Sequence, residues 1–304
     1  MRAMNRLSLL LALIALPFAA RADEFSDKFQ KLREAGDHEA MVKFLAESET
    51  AQAANPNYYA LASNYWWRFA EQPNLSTKPA NKGEPSIRDP KTGDEVGSIS
   101  TNADVDPSLR KKARDLTAEG FKRFPQRLDI GFGLAQVQVK TGQEAAAVET
   151  LLAVLKVSKE QAADLKWSDD KALPEPAATM VPESIQGYSA PLLEEGNPES
   201  EKLCKQLCEA TIAAYPEHPF AYNILAALAD AKDDSAEVLR LLKLANSKAP
   251  KDALILLNLA EAQRGAKQDK EALASYKKVL ELEADDELKE AAKEGIKELG
   301  AEKK

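Results

Sequence analysis

Apolar residues recur along the C-terminal half of this 304-residue chain with a period of 34 residues. The segment 219–252 and the segment 253–286 place apolar side chains at matching positions. The first copy holds Tyr222, Leu225, Ala226, Val238, Leu242, Ala245 and Pro250, and the second holds Leu256, Leu259, Ala260, Ala272, Tyr276, Val279 and Ala284. Such a period predicts supersecondary units that bury their apolar faces only by stacking on their neighbours.

These positions resemble the tetratricopeptide repeat, a helix-turn-helix unit with a large fourth residue, Leu at the seventh place, a small eighth residue and Tyr at the eleventh. Residues 128–157 fit the same register, and residues 55–70 match its first helix through Tyr58, Leu61, Ala62 and Tyr65. Weaker copies lie at 23–48 and 183–216. The resemblance implies an all-α, right-handed α-solenoid over residues 23–286. Residues 287–304 would add a capping helix and tail, with an apolar face of Leu288, Ala291, Ala292, Ile296 and Leu299.

Two insertions interrupt the repeats, at about 73–106 and 159–182. In the first, Asp89-Pro90-Lys91-Thr92-Gly93 has the composition of a type I turn followed by a left-handed glycine. It predicts a small β-hairpin with strands near 85–88 and 95–100, with Ile87, Val96 and Ile99 resting on the helices. The second insertion is rich in proline and predicts an extended connection. Whether the first insertion is a lid or a support is left open.

The first 22 residues have the pattern of a secretory signal peptide. Arg2 and Arg6 precede the apolar run 7–16, and Ala20-Arg21-Ala22 forms a small-x-small cleavage site. The run is about half the ~20 residues that a membrane-spanning helix needs. We therefore expect export without a membrane span, cleavage near Ala22, and a periplasmic or extracellular location.

The charge balance argues against a nucleic-acid-binding protein. Residues 1–22 hold three arginines and no acidic residue, so their removal takes the formal net charge from −8 to −11. One segment is locally basic, and either a solvated helix face or an anion-binding patch accounts for it. It comprises Arg110, Lys111, Lys112, Arg114, Lys122, Arg123 and Arg127.

Cys204 and Cys208 share one face of a helix at positions where the repeat expects core residues. Two buried thiols are one interpretation and a disulfide is another, although Cβ atoms one helical turn apart lie about 5–6 Å from each other and a disulfide needs about 3.8 Å. Neither His38 nor His218 has metal-ligand partners at a known spacing, so no metal and no cofactor is predicted.

The candidate binding surface comes from the repeat register. In tetratricopeptide repeats, a set of places on the first helices lines the concave groove. In this chain that groove would contain Tyr59, Ser63, Trp66, Trp67, Phe132, Gln136, Phe220, Asn223, Ala227, Leu257 and Glu261. Aromatic residues dominate interface hot spots, so Trp66 and Trp67 are the expected anchors. The competing interpretation is that the first insertion covers them.

No catalytic residues are predicted. Ser108-Leu109-Arg110-Lys111 and Lys140-Thr141-Gly142 imitate two motifs of penicillin-binding enzymes, but the second falls in a turn between helices. The sequence favours an exported scaffold that binds a peptide, a protein segment or a partner protein in the groove. Two alternatives remain open: an envelope hydrolase or lyase on a helical scaffold, and a structural subunit of an envelope complex. The partner and the oligomeric state are not predicted.

Overall fold

The computed structural model describes residues 24–76 and 86–301, so the predicted signal peptide lies outside the described residues. Within them the chain is built of helices and one small sheet. The helices are α1 (Glu24–Ala35), α2 (His38–Ser48), α3 (Pro56–Phe69), α4 (Pro107–Arg123), α5 (Leu128–Lys140), α6 (Glu144–Glu160), α7 (Ala177–Glu195), α8 (Pro198–Ala214), α9 (Phe220–Asp230), α10 (Ser235–Lys248), α11 (Ala253–Gly265), α12 (Asp269–Glu281) and α13 (Asp286–Ala301). The strands are β1 (Glu71–Ser76), β2 (Ser86–Arg88) and β3 (Glu95–Val105). The predicted all-α class with a small β insertion is confirmed.

The described residues form two compact units. The N-terminal unit comprises residues 24–150 and 163–172, and the C-terminal unit comprises residues 151–162 and 173–301. In both units, helices pack mainly on their neighbours in the chain, as α3 does on α4 and α11 on α12. Contacts of this kind are expected where each repeat buries its apolar face against the next.

The turn inside the repeat has the same backbone in three copies. Gly142, Asp233 and Lys267 each occupy the fifteenth place of a repeat, and each has a positive φ, of 67°, 57° and 56°. The next residue always donates its backbone N–H to the carbonyl of the residue five places earlier, as in Gln143 to Gln138. This bond satisfies a carbonyl that the end of the helix leaves unpaired. The 34-residue period is therefore a structural repeat.

Polar side chains define where several helices begin. The carboxylates of Asp37, Asp106, Asp234 and Asp252 accept backbone N–H groups of the first turns of α2, α4, α10 and α11. Asn197 starts α8 through a capping box with Ser200. These bonds satisfy donors that have no partner inside the helix.

The repeated apolar positions form the core of the C-terminal unit. Tyr222, Ala226, Leu242 and Ala245 are buried in one cluster. A second cluster contains Leu256, Ala260, Ala272, Tyr276 and Val279, together with Ala292 and Leu299 of α13. The helix α13 thus covers the apolar face that the hairpin of α11 and α12 leaves open.

The first insertion contains three strands, whereas two were predicted. It forms a three-stranded antiparallel sheet in the order β1, β3, β2, and β1 was missed. Its sequence, Glu-Gln-Pro-Asn-Leu-Ser, carries a proline, and the register shifts between Gln72 and Asn74, where Pro73 has no N–H to donate. The predicted turn is present, because Gly93 has a φ of 77° and donates to the carbonyl of Asp89.

Two details of the insertions were predicted wrongly, and a third lies outside the described residues. Val96 is 51% exposed, so it does not rest on the helices. Ile87 is partly buried, and the side chain of Ile99 lies outside the described residues. The second insertion is also shorter than 159–182, because α7 begins at Ala177 and contains Pro182 and Pro191. Val181, Ile185 and Leu192 are buried in this helix, and their packing offsets the destabilising effect of prolines in a helix interior.

Candidate functional site

The aromatic face of α3 is covered by α4. Tyr59, Ser63 and Trp66 are 5%, 6% and 5% exposed, so the prediction that they line an open groove is wrong. The approach is close because α4 presents Gly120 to this face: a Cβ added there would lie 2.6 Å from the Cβ of Tyr59. The repeat register placed these residues in a groove from their positions on α3 alone. It could not show that α4 packs on the same face after the inserted sheet.

Tyr59, Ser63 and Trp66 each have a polar or charged contact inside the chain. The Tyr59 hydroxyl donates to the carbonyl of Ala53 at 3.3 Å, and burial raises the pKa of this phenol. The Ser63 hydroxyl donates to the carbonyl of Ala60. The Lys112 ammonium lies 3.8 Å from the centroid of the Trp66 ring. These contacts are typical of a satisfied core and its rim.

Trp67 differs from its neighbours because it is only partly buried. The guanidinium carbon of Arg110 lies 3.4 Å from the centroid of its ring, and the Lys140 ammonium lies 5.8 Å from the same centroid. Arg110 also pairs with Glu71 at the start of β1. Trp67 is therefore the one member of the predicted aromatic anchor that retains accessible surface and lies beside positive charge.

On α5, the second insertion covers the predicted groove. Phe132 is 8% exposed, and the ring of Trp167 packs against it at a centroid distance of 6.5 Å. The backbone of Lys166 forms two bonds with this part of the chain: its N–H donates to Gln126 and its carbonyl accepts from Leu128. Phe132 is thus corrected to a buried residue, while Gln136 stays partly exposed.

Arg127 connects the second insertion to α3 and α5 through hydrogen bonds. Its side chain is fully buried, its Nε and Nη2 bond both carboxylate oxygens of Asp129, and its Nη1 donates to Asn57 and Asp170. Burial opposes the charge, but the two carboxylates outweigh it and raise the pKa of Arg127. A buried arginine with this many partners has a structural role. The interpretation of the basic segment as a solvated helix face therefore does not apply to Arg127.

In the C-terminal unit, two amides from successive repeats meet. Asn258 of α11 donates its side-chain N–H to the side-chain oxygen of Asn223 of α9 at 3.0 Å, and both residues are partly exposed. Phe220 and Ala227, also partly exposed, lie on the same helix as Asn223. Asn258 was missed because the register placed the groove at Leu257, one residue earlier. Leu257 is 8% exposed and belongs to the core.

Glu261 is partly exposed but already engaged inside the chain. Its carboxylate accepts from the Tyr276 hydroxyl at 2.6 Å and from Arg264 at 2.7 Å. Arg264 also bonds Glu298 of α13. Burial raises the pKa of the Tyr276 phenol, and the hydrogen bond that it donates to Glu261 raises it further. Glu261 therefore offers a partner little free charge.

A cavity of about 10 Å³ lies among α7, α8 and α9, and it has room for about one water molecule. Its lining includes Cys208, Thr211 and His218. Nδ1 of His218 is buried and has no hydrogen-bond partner among the described residues. The cavity is too small for a substrate or an organic cofactor.

Both cysteines are free and buried, so the possible disulfide between Cys204 and Cys208 is not formed. The thiol of Cys204 donates to the carbonyl of Ser189 at 3.3 Å. The Cys208 thiol is hydrogen-bonded to Cys204. This bond, together with burial, raises the pKa of Cys208 and disfavours a reactive thiolate at that residue. The same hydrogen bond lowers the pKa of Cys204, but both thiols are buried, as small core residues are.

The residues that imitate enzyme motifs serve local structure. Ser108 donates its hydroxyl to Asp106 at 2.6 Å, and Thr141 donates to the carbonyl of Val137 at 2.9 Å. Within residues 24–76 and 86–301, no group of three or more His, Cys, Asp or Glu side chains is placed to hold a metal ion. In the same ranges no helix combines the length and apolar character needed to cross a bilayer.

No protein-family model and no curated protein matches the chain. Among solved structures, a C-terminal part of a tetratricopeptide-repeat protein from Cytophaga hutchinsonii is 12% identical, with 85% of this chain and 78% of that chain covered and a TM-score of 0.44. A tetratricopeptide repeat protein from Parabacteroides merdae ATCC 43184 is 14% identical, with 91% of each chain covered and a TM-score of 0.38. MamA (41-end) from Desulfovibrio magneticus RS-1 is 18% identical, with 58% of this chain and 86% of that chain covered and a TM-score of 0.37. At these values the similarity concerns the fold alone, and function has to be argued from the residues of this chain.

Proposed function

We propose that this protein is a non-catalytic scaffold that binds an extended peptide or protein segment along α9 and α11. The observation that carries the proposal is the hydrogen bond between Asn223 and Asn258, which joins amides of two successive repeats on a partly exposed surface. We further propose that the protein is exported and works in a bacterial envelope. Support for that location comes from the signal-peptide pattern of residues 1–22.

The paired amides suit a peptide backbone. Each asparagine side chain has two N–H donors and a carbonyl oxygen with two lone pairs, and the bond between them uses one donor and one lone pair. The remaining groups match the N–H and C=O that every residue of an extended partner presents. Because the two amides are held against each other, less side-chain entropy is lost on binding.

The residues around the amides favour a partner with apolar side chains. Phe220 is partly exposed and offers an aromatic ring, while Ala227 is small enough for a backbone to approach closely. The charges nearby are internally compensated, because Glu261 bonds Arg264 and Tyr276. Affinity would thus come from the ring and the amides, and not from strong charge selection.

The proposal is tested by selecting binders from a displayed random-peptide library on residues 23–304. Selected peptides should bind Asn223→Ala and Asn258→Ala about tenfold or more weakly, since a peptide N–H or C=O that the complex buries without a hydrogen-bond partner costs about 1–3 kcal/mol. The matched control is Gln206→Ala, which removes an exposed amide from α8 and should leave affinity unchanged. Thermal melting confirms that each variant is folded.

Equal binding to the wild type and to both asparagine variants would remove the amide pair from the site. A library that yields no binder would reject the scaffold proposal for this surface. The location has its own measurement: full-length protein expressed in a bacterium should be recovered from the periplasm with Asp23 at its N-terminus. Recovery in the cytoplasm with Met1 retained would refute export.

A further inference from the structure

Two cations share the indole of Trp67. The guanidinium carbon of Arg110 lies 3.4 Å from the ring centroid, and Nζ of the exposed Lys140 lies 5.8 Å from it. A guanidinium stacked on an aromatic ring is held in one orientation, so its N–H edges point in defined directions. All three residues belong to the N-terminal unit, whereas Asn223 and Asn258 belong to the C-terminal unit.

The positive charge at this place is not fully compensated. Nη2 of Arg110 pairs with Glu71, but Nη1 is buried and has no hydrogen-bond partner among the described residues. The Arg110 side chain is 10% exposed. Within the described part of the chain, Lys140 and Lys112 take part in no ion pair, and each contacts only a tryptophan ring through its ammonium. A buried N–H donor without a partner favours any ligand that supplies an acceptor.

Four other members of the basic segment are paired with carboxylates inside the chain. Lys111 and Arg114 both contact Asp115, Arg123 bonds Glu119, and Arg127 is saturated by Asp129 and Asp170. Most side chains of the basic segment are therefore solvated or paired within the chain. The exception is the group around Trp67.

We propose that Trp67, Arg110 and Lys140 form a docking site for an Asp or Glu side chain within an apolar segment of a partner protein. The carboxylate would lie near the exposed Lys140 ammonium and offset its charge. A rotation of the Arg110 guanidinium would bring Nη1, which is buried in the free protein, within reach of the same carboxylate and satisfy this donor. Val105, which is 49% exposed and pairs in the sheet with Glu71, offers an apolar contact next to the site. The site is independent of the proposed function on α9 and α11.

The test uses the nuclear magnetic resonance signals of the indole N–H groups. The chain has three tryptophans, so ¹⁵N-labelled protein gives three such signals, and Trp67→Phe identifies the relevant one. The probe is an N-acetylated and C-amidated Leu-Glu-Leu-Glu-Leu peptide, which has no free terminal carboxylate. The same peptide with glutamine in place of glutamate is the uncharged control.

The glutamate peptide should shift the Trp67 signal in a saturable way, and the glutamine peptide should not. Lys140→Ala should weaken the interaction about tenfold, and Lys140→Arg should restore it, because the charge is retained. Lys122→Ala removes an exposed lysine elsewhere on α4 and should have no effect on the dissociation constant.

Three results would overturn the site: no shift with the glutamate peptide, equal shifts with both peptides, or equal weakening by Lys122→Ala and Lys140→Ala. The last two would indicate apolar contact without charge recognition, or attraction to the overall charge. Asn223→Ala should leave the Trp67 shift unchanged, so failure of this site and failure of the amide pair are distinguishable.

Discussion

At the scale of single residues, burial decides which polar groups remain available to a partner. His218 illustrates this because it lines a cavity with room for about one water molecule, and its buried Nδ1 has no hydrogen-bond partner among the described residues. Burial lowers the pKa of His218 from its ordinary value of 6.5, since the charged imidazolium is poorly solvated there. The folded protein therefore holds this side chain neutral at a pH where the unfolded chain takes up a proton.

This difference predicts a pH-dependent stability. As the pH falls below about 6.5, the unfolded state binds a proton at His218 before the folded state does, so the free energy of unfolding should decrease and level off below the folded pKa. His218→Gln should remove this contribution. Urea denaturation between about pH 8 and pH 5 measures it as a narrowing gap between wild type and variant. Parallel curves over the whole range would contradict the prediction.

At the scale of the helix, close approach depends on which glycines face a neighbour. Gly120 of α4 lies against Tyr59, where an added Cβ would be 2.6 Å from the tyrosine Cβ and 3.0 Å from its Cγ. Gly133 of α5 has open space at the corresponding atom. Both are helix-interior glycines, so propensity alone would favour alanine at each by about 1 kcal/mol.

The same substitution at these two positions should therefore have opposite effects. Gly133→Ala should raise the free energy of unfolding by about 0.5–1 kcal/mol, because it reduces the entropy of the unfolded chain. Gly120→Ala should lower it by about 1–3 kcal/mol, because α4 must move away from α3. Chemical denaturation of both variants checks the signs. A stabilised Gly120→Ala would show that α4 does not seal the Tyr59 face.

At the scale of the whole chain, a repeat protein has no single core, and each hairpin depends on its neighbours. The C-terminal cluster joins α11, α12 and α13 through Leu256, Tyr276 and Leu299. A separate cluster in the N-terminal unit joins α1, α2, α3 and α4 around Phe25, Met41 and Tyr58. Stability should accordingly vary along the chain.

Leu299→Ala tests this directly, because Leu299 is 3% exposed and its truncation should cost about 2–5 kcal/mol locally. Backbone amide exchange should accelerate in α11, α12 and α13 and stay unchanged in α1, α2 and α3. Hydrogen–deuterium exchange read by mass spectrometry resolves these segments. Uniform acceleration from α1 to α13 would mean that the two units unfold as one cooperative body.

Local patterns were enough to predict much of this molecule. The repeated apolar positions, the turn around Gly142 and the turn at Asp89 to Gly93 all follow from residues within one helical hairpin or one loop. Each of these features depends on neighbours in the chain, and side-chain periodicity and turn chemistry are properties of neighbours. The buried state of the cysteines belongs to the same class, because their spacing already opposed a disulfide.

The candidate site needed contacts between distant segments. Trp66 and Trp67 are adjacent, yet α4 buries one and leaves the other partly exposed. In the chain, α4 follows α3 only after residues 70–106, which contain the sheet. Trp167 covers Phe132 and Asn258 meets Asn223 for the same reason. A repeat register states which way a side chain points from its own helix. What covers that side chain depends on long-range packing, which the periodic pattern does not contain.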